Sequence, residues 1–386
     1  MASKFRLIVL GAGFSVAAGM PLARPLWEEI AETAKAYGSN HRGKKFFEDL
    51  NAYIAFKNET DGTDVNLSNV DFEDFMRYCD LEHFLGLRGG QTWSKDGNEA
   101  TVVVKHLIGK ILSRYMVELK NVPEIYLDFA RRLEPNDTVF SFNYDTLLER
   151  ALDHVGKPYR LVPTRYKYVS PDGGGVVDSN TREITLLKVH GSIDWFDRQQ
   201  FDRMRAMYAK DKVDGEPVDA VFSRRAALEL EALAQGPYPE ADPLKSVYRV
   251  RNLKVLHEND LIFRSTPLLV APSSAKLLYF SRLGDLWNGW GQGGYYNYGM
   301  SIIGFSLPDH DDYARQILYN LVTTYQRQNQ EKDDLGRQKS PLTIVDYFAN
   351  SQSEAKFRQR YRFVDWSKTR LFGHGFGPDC LDAVFS

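Results

Sequence analysis

Three short stretches carry residues that could act on a charged small molecule. The first is Gly11-Ala12-Gly13-Phe14-Ser15, directly after an apolar run. Glycines between a strand and a helix let backbone N–H groups approach a phosphate at the helix N-terminus. The third glycine of G-x-G-x-x-G is missing, and Ala17 stands where close helix–strand packing is needed. Alone, the stretch also reads as a tight strand–helix turn. The second stretch, Ser141-Phe142-Asn143-Tyr144-Asp145, flanks a strand end with polar side chains, where open parallel sheets bind ligands. Asp145 also fits a plain helix cap, and Asn143 a turn former. The third, Lys188-Val189-His190-Gly191-Ser192, puts a histidine followed by glycine at the end of another apolar run. A lone histidine there is more often a satisfied core side chain. The convergence of three polar strand ends on one sheet edge favours a site.

The elements that must hold these residues are legible as an alternation. Leu7 to Leu10 is a short apolar run of the buried parallel-strand kind, followed by a helix-like stretch with Val16, Ala17 and Ala18. Thr138 to Phe142 reads as a second strand. Thr146 to Val155 reads as a helix, with Asp145 at its N-cap and Gly156 at its stop. Ile184 to Val189, Pro267 to Ala271 and Met300 to Phe305 read as three further strands. Strands separated by helices predict an α/β fold built on a parallel, Rossmann-like sheet. Two stretches break the alternation. Residues 41–130 are helical in pattern, with polar breaks near Asp61 to Asn69 and Gly89 to Gly97. Residues 198–260 are charged and rich in Ala and Leu. Both are read as helical insertions into one domain spanning residues 1–386, and Gln326 to Lys339 as a solvated loop.

Composition narrows the class. With 49 Lys+Arg against 51 Asp+Glu the net charge is -2, so no global field draws the chain to nucleic acid, and no direct nucleic-acid binding is expected. The two cysteines, Cys79 and Cys380, lie about 300 residues apart, which excludes a Cys₄ zinc site and makes a disulfide scaffold implausible. They read as small buried apolar residues. Only four apolar residues precede Gly11, too few for a signal peptide, and no run approaches the ~18 that a membrane helix needs. A cytoplasmic protein without membrane contact or metal is expected.

Taken together, the motifs resemble those of the sirtuin family. Gly11 to Ser15 with Ala18-Gly19-Met20-Pro21 resembles its opening motif, Phe142-Asn143-Tyr144-Asp145 its Gln-Asn-Ile-Asp motif, and His190-Gly191 its catalytic His-Gly. Ser301 to Leu307 is similar to its Gly-Thr-Ser-Leu segment. The closer resemblance is to the zinc-free sirtuin-like proteins of bacterial defence systems, through Pro272-Ser273-Ser274-Ala275-Lys276, Leu286-Trp287, Pro308-Asp309-His310-Asp311 and Gly373 to Phe376. The chain departs from the deacetylase pattern twice. Pro21 is followed by Leu22-Ala23-Arg24 instead of an acidic-aromatic-basic triplet, and the cysteine quartet is missing.

The resemblance implies NAD as substrate and a sirtuin-type sheet. It implies that Asn143 orients water at the reacting carbon, that Asp145 contacts the nicotinamide amide, and that His190 is the general base, its ordinary pKa lying close to working pH. Gly11, Ala12 and Ser15 would cradle the diphosphate, with Gly13, Gly191 and Gly304 also at the cofactor and Ser306 on the adenosine ribose. The implied activity is an NAD glycohydrolase that depletes NAD in antiphage defence. Two alternatives stay open: a protein deacylase or ADP-ribosyltransferase, and a non-catalytic NAD or ADP-ribose sensor. Partner expectations are self-association and a second protein such as a HerA-type ring ATPase. Trp287 to Tyr298 is a candidate contact surface, with local core packing plus a Gly-rich loop as its alternative reading.

Overall fold

Short apolar runs that are too brief for helices need neighbours on both sides, and here they find them in one sheet. The computed structural model describes residues 5–38, 41–87, 98–224, 227–258, 266–271, 283–287, 297–327 and 338–386. Its strands are β1 (Arg6–Leu10), β2 (Thr138–Ser141), β3 (Tyr159–Arg160), β4 (Tyr166–Val169), β5 (Gly175–Val177), β6 (Ile184–Lys188), β7 (Trp195–Asp197), β8 (Leu230–Ala232), β9 (Val247–Val250), β10 (Gly299–Ile303), β11 (Leu342–Val345) and β12 (Thr369–Phe372). Its α-helices are α1 (Ala23–Lys35), α2 (His41–Asp61), α3 (Phe72–Leu85), α4 (Glu99–Tyr115), α5 (Glu124–Arg132), α6 (Leu147–Val155), α7 (Gln199–Lys210), α8 (Leu253–Glu258), α9 (Gly284–Trp287), α10 (Asp312–Arg327), α11 (Ser351–Arg360) and α12 (Pro378–Val384).

Seven strands form the main sheet in the order β12-β11-β10-β1-β2-β6-β3, every pair parallel. The expected α/β, Rossmann-like parallel sheet is thus the observed fold. The central strands β1, β6, β10 and β11 are buried along their whole length, as strands covered on both faces must be. The chain leaves β1 for β2 and β6, then returns on the other side with β10, β11 and β12. The winding therefore reverses between β1 and β10, the kind of switch point where such sheets open a crevice beyond their carboxyl ends. Register levels those ends. Leu10 pairs with Ile303 and with Ser141, and Ser141 with Lys188. At the opposite edge the buried Arg6 guanidinium grips Asp137 through two 2.8 Å hydrogen bonds.

A second, smaller apolar core lies beyond the strand ends. Trp27, Phe46, Tyr53, Phe75 and Ile108, from α1 to α4, build it, and it reaches Tyr144, Ile193 and Leu269. The 41–130 stretch is helical where described, but its packing divides. α5 joins the sheet core through Tyr126 and Phe129, whereas α1 joins the helical cluster. The Asp71 side chain caps α3 by accepting from the Glu73 and Asp74 N–H groups, and Gly86 ends that helix in the left-handed region. The polar break at Asp61 to Asn69 is the α2–α3 loop. The break at Gly89 to Gly97 lies outside the described residues, as does Pro272 to Lys276.

Several expectations need correction. Residues 198–260 are not a helical insertion: beyond α7 and α8 they supply β8 and β9 of a three-stranded antiparallel sheet, β7-β9-β8. Pro217, Pro237, Pro239 and Pro243 prevent the Ala/Leu-rich stretch from continuing as helix. Pro267 to Ala271 is not a sheet strand. It runs antiparallel past the loop after β6, with one bridge between Leu269 and Gly191. The stretch after Gly13 is a 3₁₀ helix, Ala12–Ala18. Gln326 is not in a solvated loop: it is buried in the last turn of α10 and its amide donates to the Asp365 carbonyl at 3.0 Å, while 328–337 lie outside the described residues. Trp287 is core, its indole N–H donating to the Val189 carbonyl at 2.9 Å, and 288–296 lie outside the described residues. Both cysteines are buried free thiols. Among the described residues no helix is long and apolar enough to cross a membrane.

Candidate functional site

The crevice at the switch point is a cavity of about 560 Å³, a size suited to a small-molecule ligand. Its wall brings together seven of the residues singled out from the sequence: Ala12, Gly13, Asn143, Asp145, His190, Gly304 and Ser306. Gly11, Ser15 and Gly191 stand behind that wall.

Behind the wall, the glycines lock the backbone. The Gly11 N–H donates to the Ile303 carbonyl and the Gly13 N–H to the Gly304 carbonyl, both at 2.9 Å. Those two donors close β1 against β10. A side chain on Gly13 would place its Cβ 2.7 Å from the Gly304 Cα, so the two turns interlock only as glycines. Gly304 is itself left-handed at φ 62°, and Leu307, fully buried, is held at φ 52°. A non-glycine residue in that region is costly and is found where the surroundings over-determine it.

Asn143 follows β2 and is buried. Its Nδ2 donates to the Ser15 Oγ at 3.2 Å, so Ser15 orients Asn143. The amide's Oδ1 is buried without a protein hydrogen-bond partner. A buried acceptor left unpaired costs about 1–3 kcal/mol, a cost that a ligand or water hydroxyl in the cavity would remove. Asp145 both lines the cavity and accepts from the Leu147 N–H at 2.9 Å, although Thr146, not Asp145, occupies the N-cap position of α6. Its carbonyl accepts from the buried Lys188 ammonium, which also reaches Glu149 at 2.9 Å and Ser192 at 2.7 Å. Burial pushes the Glu149 carboxyl up, with Lys188 opposing.

His190 sits after β6 inside a cage of rings, with centroids at 5.0 Å for Phe142, 5.9 Å for Trp287 and 6.2 Å for Tyr144. The Gly191 turn behind it is left-handed, φ 80°, because the 266–271 segment lies against it. That segment clasps the loop: Ser192 N–H donates to Leu268 O, Leu268 N–H to Trp195 O, and Val270 N–H to His190 O. The strand expected at Pro267 to Ala271 therefore braces the histidine. The His190 Nε2 lies 3.1 Å from the Asp311 Oδ2.

Other residues of the site were given no role by the sequence reading. Arg24 is the only lysine or arginine among the described wall residues, and it is exposed. Its signal was its place in the Leu22-Ala23-Arg24 segment, read only as a departure from a pattern. Asp346, Tyr347 and His374 follow β11 and β12, two strands that the alternation did not reveal. Phe376 packs on Phe14 with centroids 4.8 Å apart. Asp71, Glu73 and His310 bring potential metal-ligand atoms within 4.8 Å of one another. Two of the three are partners, with His310 Nε2 3.2 Å from Glu73 Oε2, and Asp71 serves as the α3 cap.

With this geometry in place, comparison with known proteins adds one match. Residues 137–214 match the family model of the SIR2-like domain. That stretch contains Asn143, Asp145, His190 and Gly191, and it supports a sirtuin-like relationship and NAD-related activity. No curated protein matches the chain.

Proposed function

We propose that this chain is an NAD glycohydrolase that cleaves the nicotinamide–ribose bond. The observation that carries the reading is the meeting of Asn143, Asp145 and His190 on the wall of one cavity at the sheet's switch point, with the Asn143 Oδ1 buried and unpartnered. NAD's nicotinamide leaves as a neutral ring, so the site needs no acid at the leaving group. It must stabilise a ribosyl cation and place water. The C1′–nitrogen bond breaks with its electron pair going to nicotinamide. Asn143 orients water on C1′, and as the new C–O bond forms the water's proton passes to His190. Asp145 holds the nicotinamide amide. Ala12 and Ser306 flank the remainder of the dinucleotide. The products are nicotinamide and ADP-ribose.

The reading extends to an NAD-depleting effector of antiphage defence, acting without zinc. Such an activity is toxic if ungated. The gate is proposed to lie in self-association and in a second protein of the HerA-type ring-ATPase class. The test is nicotinamide release from NAD by the purified chain, alone and with the product of its neighbouring gene, with Asn143→Ala as control. Release that the Asn143→Ala variant retains in full would sink the reading.

A further inference from the structure

Asp311 is fully buried, and its two carboxylate oxygens have separate tasks. Oδ1 accepts from the Ala314 N–H at 3.1 Å, at the start of the 16-residue helix α10. Oδ2 faces the His190 Nε2 at 3.1 Å, with side-chain exposures of 0% for Asp311 and 4% for His190. A helix N-terminus favours negative charge at such a position. The loop bearing Asp311 is fixed from both sides. The Arg315 N–H donates to the Asp311 carbonyl at 3.0 Å, and the preceding His310 pairs with Glu73 on α3. The imidazole is held just as firmly by the rings of Phe142, Tyr144 and Trp287. A fixed carboxylate is therefore aimed at one named nitrogen of a fixed imidazole, inside the cavity wall.

We propose that Asp311 is the positioning residue for His190, resting on the reading of His190 as the base. With Nε2–H donating to the carboxylate, the ring's basic lone pair is on Nδ1. When water adds to C1′ and the glycosidic electron pair departs with nicotinamide, the water proton goes to Nδ1. The imidazolium charge is then met by Asp311, which itself takes no proton. An aspartate that sets a histidine's tautomer and stabilises its cation plays this part in hydrolases of unrelated fold. Among the described residues, Tyr144 after β2 and Glu73 on α3 interact electrostatically with Asp311, and His310, paired with Glu73, precedes it in the same loop.

The experiment compares the full chain with His190→Ala, Asp311→Asn, Asp311→Glu and Asp311→Ala. Nicotinamide release is followed across pH, and the histidine ring nitrogens are observed by ¹⁵N NMR. His190→Ala identifies its own signal among the eight histidines. Asp311→Asn is expected to lower kcat by about 10²-fold or more with little change in KM, the scale of a mispositioned base. It should also move the acid limb of the rate profile to lower pH by about one unit, through loss of the neighbouring charge. Asp311→Glu should restore part of the rate. In the NMR arm, wild-type His190 should show the Nε2–H form, and Asp311→Ala should lose it. If His190→Ala is inactive while Asp311→Asn keeps the wild-type rate and pH profile, Asp311 is structural only and the proposal is overturned. If His190→Ala remains fully active, the reading of the base itself has failed. In a preparation that releases no nicotinamide, a ring tautomer unchanged by Asp311→Ala overturns the proposal.

Discussion

At the scale of single residues, the site is a set of polar groups with their alternatives used up. Asn143 spends its amide N–H on Ser15 and keeps its buried carbonyl oxygen for the cavity. Replacing Asn143 or His190 by alanine should lower NAD cleavage by about 10²-fold or more, the scale of one positioned catalytic group. Both variants should remain folded, with His190→Ala losing more thermal stability than Asn143→Ala, because it empties the cage of Phe142, Tyr144 and Trp287. A well-folded variant with near-wild-type turnover would place the chemistry elsewhere. Arg24 offers a different check. As the only lysine or arginine on the described wall, it suits the diphosphate of the substrate. Arg24→Ala should raise KM about tenfold, since a charged hydrogen bond is worth ~1.5–3 kcal/mol, and should leave kcat nearly intact. A fall in kcat with KM unchanged would give Arg24 a role in the chemical step instead.

At the scale of elements, the switch point between β1 and β10 gathers the site, and the helical cluster closes it from above. Asp80 on α3 is buried in that cluster near Lys105 on α4, and burial pushes its carboxyl up to about 7 from an ordinary 3.8, with Lys105 pulling it back. The folded state thus holds a proton on Asp80 between about pH 4 and pH 7 that the unfolded chain has released. Stability therefore falls as pH rises through that window. Asp80→Asn should flatten the decline, read as a smaller loss of melting temperature between pH 5 and pH 8 than in wild type. An unchanged slope would show that Asp80 does not titrate there. The sequence made β1, β2, β6 and β10 legible because each is a short apolar run that ends in glycine or in polar residues. It hid β11 and β12, whose four-residue runs lie among polar segments without a chemical motif. The 198–260 stretch misled because Ala and Leu content was weighed above its prolines. Asn143 and His190 were visible as polar strand ends. Arg24 stood only as a departure from a motif, and Asp311 only within the Pro308 to Asp311 resemblance, because only the folded chain brings the 308–311 loop against His190.

At the scale of the whole molecule, the described residues build the seven-stranded sheet, its helical cluster, the three-stranded antiparallel sheet and the β4-β5 hairpin. Gating by self-association and a second protein is proposed above, and two measurements test it. Light scattering should show a symmetric oligomer, the usual form of soluble self-association. Co-purification is expected to recover the proposed ring-ATPase partner, and NAD turnover to change when it is bound. A strict monomer at micromolar concentration, fully active alone and recovered with no partner, would contradict this. The central claim, that the cavity transfers ADP-ribose to water, is tested most directly by incubating the chain with NAD in ¹⁸O-enriched water. The account predicts one nicotinamide released for each ADP-ribose formed, that ADP-ribose carrying a single ¹⁸O, and the rate of both falling about 10²-fold or more in Asn143→Ala. Nicotinamide release with ADP-ribose appearing on a protein acceptor, or with an acyl group appearing on ADP-ribose, and no free ADP-ribose formed from water, would contradict it.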